Sequence, residues 1–421
     1  MKILLALVSA LLTVSLRAAP DPLDPHRTDI NPALIYWQAM LHLPQLKDED
    51  REYLSTNEWW AMPLDARFKE TVVRYNVAMR VVEQGAAQTA PCDWGNDFTY
   101  GPGLFLPGLA KAKAIAQAAR WRVRWHLESG NPDKARDELL AAFTLARHVG
   151  SDAILIGCLV DIAMENIVVN AIAENWFRLS PQTIQQLAAG LDQAPPRVPI
   201  AQVIATERIG FRDWLVRRVG LIQTASKDPA KVDELLRTLL EETFEESAEQ
   251  GKPKEPSEAK LSERIYKASG GTCAGVIRYT KELDSDYDEA TAILKLPFGE
   301  FLPQIKSFSA KIESGENLLA KEMLPNFEKA RFKELAADVR IAQLRAASEY
   351  LSHGEAGLKN VVDPLNGQAF KFRKITVNGV HRGFELASAA SMGGLPLSII
   401  FVERDGPAFH LTGSKAGRLI Q

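Results

Sequence analysis

LAKAKAIAQAARWRVRWHLESGNPDKARDELLAAFTLARHV, residues 109–149, reads as two helices joined by a Gly-Asn-Pro turn. Leu109, Ala112, Ile115, Ala119, Val123 and Leu127 recur at three- and four-residue steps, the apolar stripe of an α-helix. Trp121 and Trp125 stand four apart beside that stripe and widen it. Gly130 tolerates positive φ and can end the helix. Asn131 is placed to cap the next one, and Pro132 fits its first position, where a missing N–H costs nothing. Ala135, Leu139, Ala142, Ala146 and Val149 form the second stripe. Both faces must be buried, so the hairpin predicts further helices stacked around it and a mainly α chain.

Downstream, Asp152 is expected to open the helix AILIGCLVDIAMENIVVNAIAENWF, whose nearly all-round apolarity marks an interior position. Asp161 and Glu165 lie four apart on one side of it. After Pro195-Pro196 and Pro199, Ile200, Ile204, Phe211 and Leu215 make another stripe, with Glu207 within it and Arg208, Arg212, Arg217 and Arg218 nearby or flanking. Asp228-Pro229 starts a charged amphipathic helix. GKPKEPSEAK, residues 251–260, reads as a linker, and the helical pattern resumes over 261–351. Beyond Gly354 the period changes. Phe370, Phe372, Ile375 and Val377 follow in alternating style, Asn378-Gly379 signals a hairpin, GFELAS and LSIIFVE supply strands, and Asp405-Gly406 marks a last turn. The expected architecture is an irregular multi-helix domain over 19–250, a helical extension over 261–351, and a small antiparallel sheet over 352–421 packed on the long helix after Asn326.

Upstream, Asn31-Pro32 caps a helix on which Leu34, Trp37 and Leu41 share a face, and a long helical pattern runs from Asp65 to about Gln84. The adjacent Trp59 and Trp60 suit packing or stacking on a ligand. CDWGNDFTYGPGLFLPG, residues 92–108, is the least regular part of this half. Its Asp93, Trp94, Asp97 and Tyr100, with Trp121 and Trp125 of the hairpin, make a candidate binding surface. Gly95, Gly101 and Gly103 are followed by neither Lys-Ser nor a phosphate-binding helix, which excludes a nucleotide loop.

The chain opens with Met1-Lys2 and the apolar run Ile3–Leu16, the pattern of a signal peptide cut after Ala18. Export to the periplasm or beyond is therefore expected, with no integral membrane segment left after cleavage. Removing residues 1–18 takes away Lys2 and Arg17, leaving 48 basic against 53 acidic residues, a balance that points to no nucleic-acid partner. Cys92, Cys158 and Cys273 permit at most one internal disulfide. Cys158 reads as a buried apolar residue, and Cys92 with Cys273 is the expected pair if any forms.

Asp161, Glu165 and Glu207 are the strongest chemical anomalies, because carboxylates on apolar helix faces are costly unless paired. Either they converge as an acid/base pair or metal shell, or arginines pair with them structurally. No histidine joins them at ligand spacing, so no metal is assigned. The seven histidines are dispersed, no His-Glu-x-x-His or Gly-x-Ser-x-Gly occurs, and no cofactor motif is present.

Three resemblances follow from these residues. Gly130, Asn131, Ala135 and Ala142 sit at the loop and small-residue positions of a tetratricopeptide repeat, so 109–149 resembles one such unit, with no second copy. Tyr350, Gly354, Asp363, Pro364, Gly367, Phe370 and Phe372 resemble the helix-to-strand end of major pseudopilins, with Leu365 where Phe is usual. As a whole, Tyr36–Ala39, Cys92–Gly95, Glu207-Arg208 and Asp363-Pro364 are similar to segments of secreted helical proteins of planctomycetes and verrucomicrobia, which implies a fold and an address but no reaction. The expected function is a non-enzymatic exported scaffold or binding protein with a protein or peptide partner in the cell envelope. The alternative is an extracytoplasmic hydrolase using Asp161, Glu165 and Glu207.

Overall fold

The structure is a computed structural model that describes residues 27–55, 64–244, 260–377, 379–392 and 395–403. The signal segment, Trp59-Trp60 and the Asp405-Gly406 turn lie outside these residues. The chain is mainly α with a three-stranded antiparallel sheet near its C-terminal end.

Helix α1 (Pro32–Leu41) starts at Asn31, whose Oδ1 accepts from the Ala33 N–H at 3.1 Å. After α2 (Asp48–Ser55), the expected single helix from Asp65 is divided into α3 (Ala66–Val73) and α4 (Asn76–Ala86). The break at Arg74-Tyr75 accompanies the burial of Tyr75, which lies edge-on to Trp121 with ring centroids 6.2 Å apart. The central hairpin is α5 (Gly108–Glu128) and α6 (Pro132–Val149), with Gly130 at φ 73° between them. Ala112, Ile115, Ala119 and Val123 face Ala135, Leu139, Ala142 and Ala146 in one core. Asn131 occupies the cap position but does not cap: its amide donates to the Ser129 carbonyl at 3.2 Å.

Helix α7 (Leu155–Glu174) starts later than the sequence suggests, because Asp152 accepts from Asn96 and caps nothing. It is followed by α8 (Pro181–Gln193) and α9 (Ile200–Glu207), which continues through a π-helical turn at Arg208–Asp213 into α10 (Trp214–Ala225). Then come α11 (Pro229–Phe244), α12 (Leu261–Ala268), α13 (Cys273–Lys281), α14 (Leu283–Leu294), α15 (Phe298–Ser314), α16 (Leu318–Met323) and the long α17 (Phe327–His353). Strands β1 (Lys371–Val377), β2 (Val380–Met392) and β3 (Leu395–Val402) pair in sequence order, with Phe372 opposite Leu386 and Phe384 opposite Phe401. Phe384 and Phe401 pack on Trp176 and Tyr350, while the buried Gln343 of α17 donates to the Leu386 and Leu397 carbonyls.

Two hydrophobic cores result. The first joins Tyr36 through Leu191 to Val339 through Phe401; the second joins Ala153 and Cys158 to Ile200 through Ala330. The chain leaves the first core after α8, builds the second, and returns along α17. Helices α7 and α17 each contribute to both.

The expected linker or loop at 251–260 stands between two helices of one core. Apart from Lys260 that segment lies outside the described residues, but α11 and α12 on either side of it pack together in the second core. Cys158 is buried as expected, and the conditional Cys92–Cys273 pair does not form. All three thiols are free, with Cys92 against the first core and Cys158 and Cys273 inside the second. Among the described residues α7 is long and apolar enough to cross a membrane by length and composition, where the sequence reading found no convincing span; here it packs on α5, α6 and α17.

Candidate functional site

Two polar features stand out, and they sit in opposite settings. The first is the seam between the two cores, where α7 carries Asp161 and Glu165 one turn apart. Glu165 is 1% exposed and meets two guanidiniums: Arg147 of α6, with Nε 2.7 Å from Oε1, and Arg197 from the Pro-rich segment before α9, with Nε donating at 3.1 Å. Arg197 also pairs with Asp338 of α17. One turn earlier on α17, Glu334 pairs with Arg331 and accepts the Ile200 N–H at 3.0 Å. Every charge here is met by an opposite charge from another element or by a neighbour on its own helix, which is the condition for burying charge without a large desolvation cost.

Asp161 is the exception. It is fully buried and, among the described residues, no donor reaches either oxygen. Burial first, then the Glu165 charge, push its carboxyl well above the usual range despite Arg147 and Arg197. The acid form is thus favoured, leaving two cations and two anions in the central group of Arg147, Arg197, Glu165 and Asp338.

Glu207 does not join them. It lies at the C-terminal end of α9, and its Oε1 accepts the Leu155 N–H at 2.9 Å. That satisfies one of the free donors at the start of α7, a cap supplied by another helix. Asp161 stands six residues further along, about 9 Å by helical rise. Burial raises the Glu207 carboxyl and the Leu155 hydrogen bond opposes the shift. Arg208 and Arg212 turn instead to Asp284 of α14, Arg208 at 2.7 Å. Among the described residues no group of three His, Cys, Asp or Glu side chains could hold a metal ion.

A second buried cluster was not foreseen. Arg122 donates to both Glu138 oxygens at 2.8 and 2.6 Å and to the Val72 carbonyl at 2.8 Å, while His126 Nε2 lies 3.1 Å from Glu138. Burial raises the Glu138 carboxyl, but Arg122 and His126 outweigh it and the group ends below its ordinary value. The hint was the i,i+4 pair Arg122 and His126 beside the hairpin's apolar stripe. Trp121 and Trp125 belong to this packing: Trp121 lies 9% exposed against Tyr75, and Trp125 lies under the Arg122 guanidinium at 4.9 Å.

The other setting is the Cys92–Gly108 loop. Trp94 donates from Nε1 to the His148 carbonyl at 2.7 Å, stacks on Tyr36 with centroids 6.0 Å apart, and meets Trp37 nearly perpendicular (84°) at 5.7 Å. Beneath it the buried Tyr36 hydroxyl and His148 Nδ1 lie 2.9 Å apart, and burial lowers His148 to about 4. Asp93 and Asp97 brace the loop, accepting from the Gly95 and Thr99 N–H groups at 2.9 Å each. The indole of Trp214 donates to the Thr99 carbonyl and covers Gly101, whose φ of 57° and lack of a Cβ allow that approach.

Trp37, Trp94, Asn96, Leu106, Pro107, Leu109, Asp152 and Ile154 line a small open cleft with a free volume of about 30 Å³. Ala153, between two of these residues, has φ 55°, a left-handed conformation that costs a non-glycine residue about 1 kcal/mol and concentrates at ligand clamps and active sites. On the elements that supply the cleft, large apolar side chains are exposed: on the loop Tyr100 by 65% and Phe105 by 79%, on α1 Leu34 by 58% and Leu41 by 79%. On the shared face of α1 read from the sequence, Leu34 and Leu41 are therefore exposed and Trp37 is half-buried against the first core, while Ile35, Tyr36, Ala39 and Met40 enter that core.

The structure brings Asp161 and Glu165 together and sets Glu207 apart. It places Asp93, Trp94, Asp97 and Tyr100 on one loop and puts Trp121 and Trp125 in the interior packing of α5. Trp37, Asp152 and Phe105 were not singled out as site residues. Comparison with protein-family models, curated proteins and solved structures returned no match.

Proposed function

We propose that this chain is an exported, non-enzymatic helical scaffold or binding protein whose working face is the Cys92–Gly108 loop with the cleft beside it. The observation that carries this is the exposure of Tyr100 and Phe105 on the loop, and of Leu34 and Leu41 on α1, the two elements that supply Trp94 and Trp37 to the cleft. Exposed apolar side chains on the elements that form a cleft are the mark of a surface that meets another molecule. The carboxylates a hydrolase would use are instead taken up internally: Glu165 by two arginines and Glu207 by a helix start. The partner class that fits is a protein or peptide of the cell envelope, presenting apolar side chains to this face.

Photo-crosslinking tests the reading. A crosslinking residue at position 105 is expected to trap a discrete envelope partner in living cells. The same residue at exposed Lys231 of α11 traps none. Equal labelling from both positions, or none from 105, overturns the proposal.

A further inference from the structure

The cleft contains more than apolar surface. Its polar contribution is one carboxylate and one amide: the half-buried Asp152 and the half-buried Asn96 that donates to it. Burial raises the Asp152 carboxyl, the Asn96 amide opposes the shift, and the charge of Asp93 on the same loop adds to it. Among the described residues no lysine or arginine lines the cleft, and none pairs with Asp152 or Asp93. Every other half-buried or buried acid described above has a cation, a helix start or its own protonation to answer its charge. Asp152 has a neutral amide and a backbone N–H from Trp94.

We propose that this cleft receives a lysine side chain of the peptide partner, its alkyl stem along Leu106 and Leu109 and its ammonium between the indoles of Trp37 and Trp94 and the Asp152 carboxylate. The assignment rests on the binding-protein reading and deepens it. Charge complementarity selects a cation, because two neighbouring carboxylates without a counter-charge repel each other until one arrives. Trp37 and Trp94 both line the cleft, and indole rings favour the same sign, attracting cations most strongly where water is displaced. A compact ammonium with three donors can meet the Asp152 carboxylate and the Asn96 carbonyl together. The Asn96 side chain, with its amide nitrogen committed to Asp152, leaves its carbonyl oxygen to accept from that head group. The exposed Phe105, Tyr100 and Leu34 would take apolar residues flanking the lysine.

Titration of the exported chain with acetyl-Leu-Lys-Phe-amide, followed by calorimetry and tryptophan fluorescence, tests this. The isosteric norleucine peptide and choline serve as comparisons. The lysine peptide is expected to bind about tenfold or more tightly than the norleucine peptide. Asp152→Asn should bring lysine affinity down to the norleucine level and leave norleucine binding unchanged. Trp37→Leu carries the same expectation should Asp152→Asn fail to fold. Equal affinity for the two peptides, undiminished lysine binding by both variants, or binding of choline without the lysine peptide would overturn the assignment. If neither peptide binds while position 105 still crosslinks its partner, the lysine site falls and the binding-protein reading stands. Loss of that crosslink sinks both.

Discussion

The seam and the loop face invert the usual layout of a globular protein. At the seam, Glu165, Arg147 and Arg197 are buried and charged. On the loop face, Phe105, Tyr100 and Leu41 are apolar and in water. The difference lies in what each set has already found. The seam side chains come from α6, α7, α17 and the segment before α9, and they meet one another where two apolar cores touch. Ion pairs there join elements that hydrophobic packing alone would leave free to slide. The loop-face side chains, among the described residues, stay largely in solvent. Buried charge is therefore a poor pointer to chemistry in this molecule, and exposed apolar surface is the better one.

Substitutions can break or sharpen that contrast. The largest effect is expected from Glu165→Gln, which leaves Arg147 and Arg197 buried without their shared counter-charge. The loss should be about 3–5 kcal/mol in urea unfolding, the usual result of removing one partner of a buried pair. A loss below about 1 kcal/mol would mean that the seam is not an ionic joint.

Acid should weaken the floor of the loop face next. His148 is neutral in the folded chain, its value lowered from 6.5 to about 4 by burial. A depressed folded value contributes stability that is present above about pH 6.5 and lost as pH falls through about 4. The loss approaches roughly 3 kcal/mol. His148→Gln should flatten that part of the pH–stability curve.

Glu207→Ala removes the accepting group at the start of α7 and should cost about 1 kcal/mol, with activity of any kind irrelevant to the readout. Asp161→Asn should go the other way, neutral to slightly stabilising near pH 7. The Asp161 acid is raised in the folded chain, so its contribution is full below the unfolded value of 3.8 and is lost as pH rises through the folded value. The advantage of Asn over Asp should accordingly grow as pH rises, which parallel denaturation series will show. The smallest effect belongs to the loop face: Tyr100→Ser with Phe105→Ser should leave stability within about 0.5 kcal/mol per substitution.

Much of the fold was legible because its signals are local. The stripes of α5 and α6, the caps at Asn31 and Asp65, and the helix start after Asp228-Pro229 depend on neighbours within one turn. The site was less legible because its contacts are remote. Glu165 meets Arg197 across 32 residues, and Arg197 meets Asp338 across 141, from a Pro-rich break that gives no periodic cue. Periodicity put Leu34, Trp37 and Leu41 on one face but could not say that Leu34 and Leu41 stay exposed while Trp37 turns to Trp94. The two cores were hidden for a similar reason. Continuous helices such as α7 and α17 show no change in pattern where they pass from one core to the other.

The most direct test of the contrast is partner affinity measured beside thermal stability for the Tyr100→Ser/Phe105→Ser variant. The expected result is an unchanged melting temperature with partner binding lost by tenfold or more. Partner binding equal to that of the unaltered chain would contradict the assignment of the loop face as the working surface.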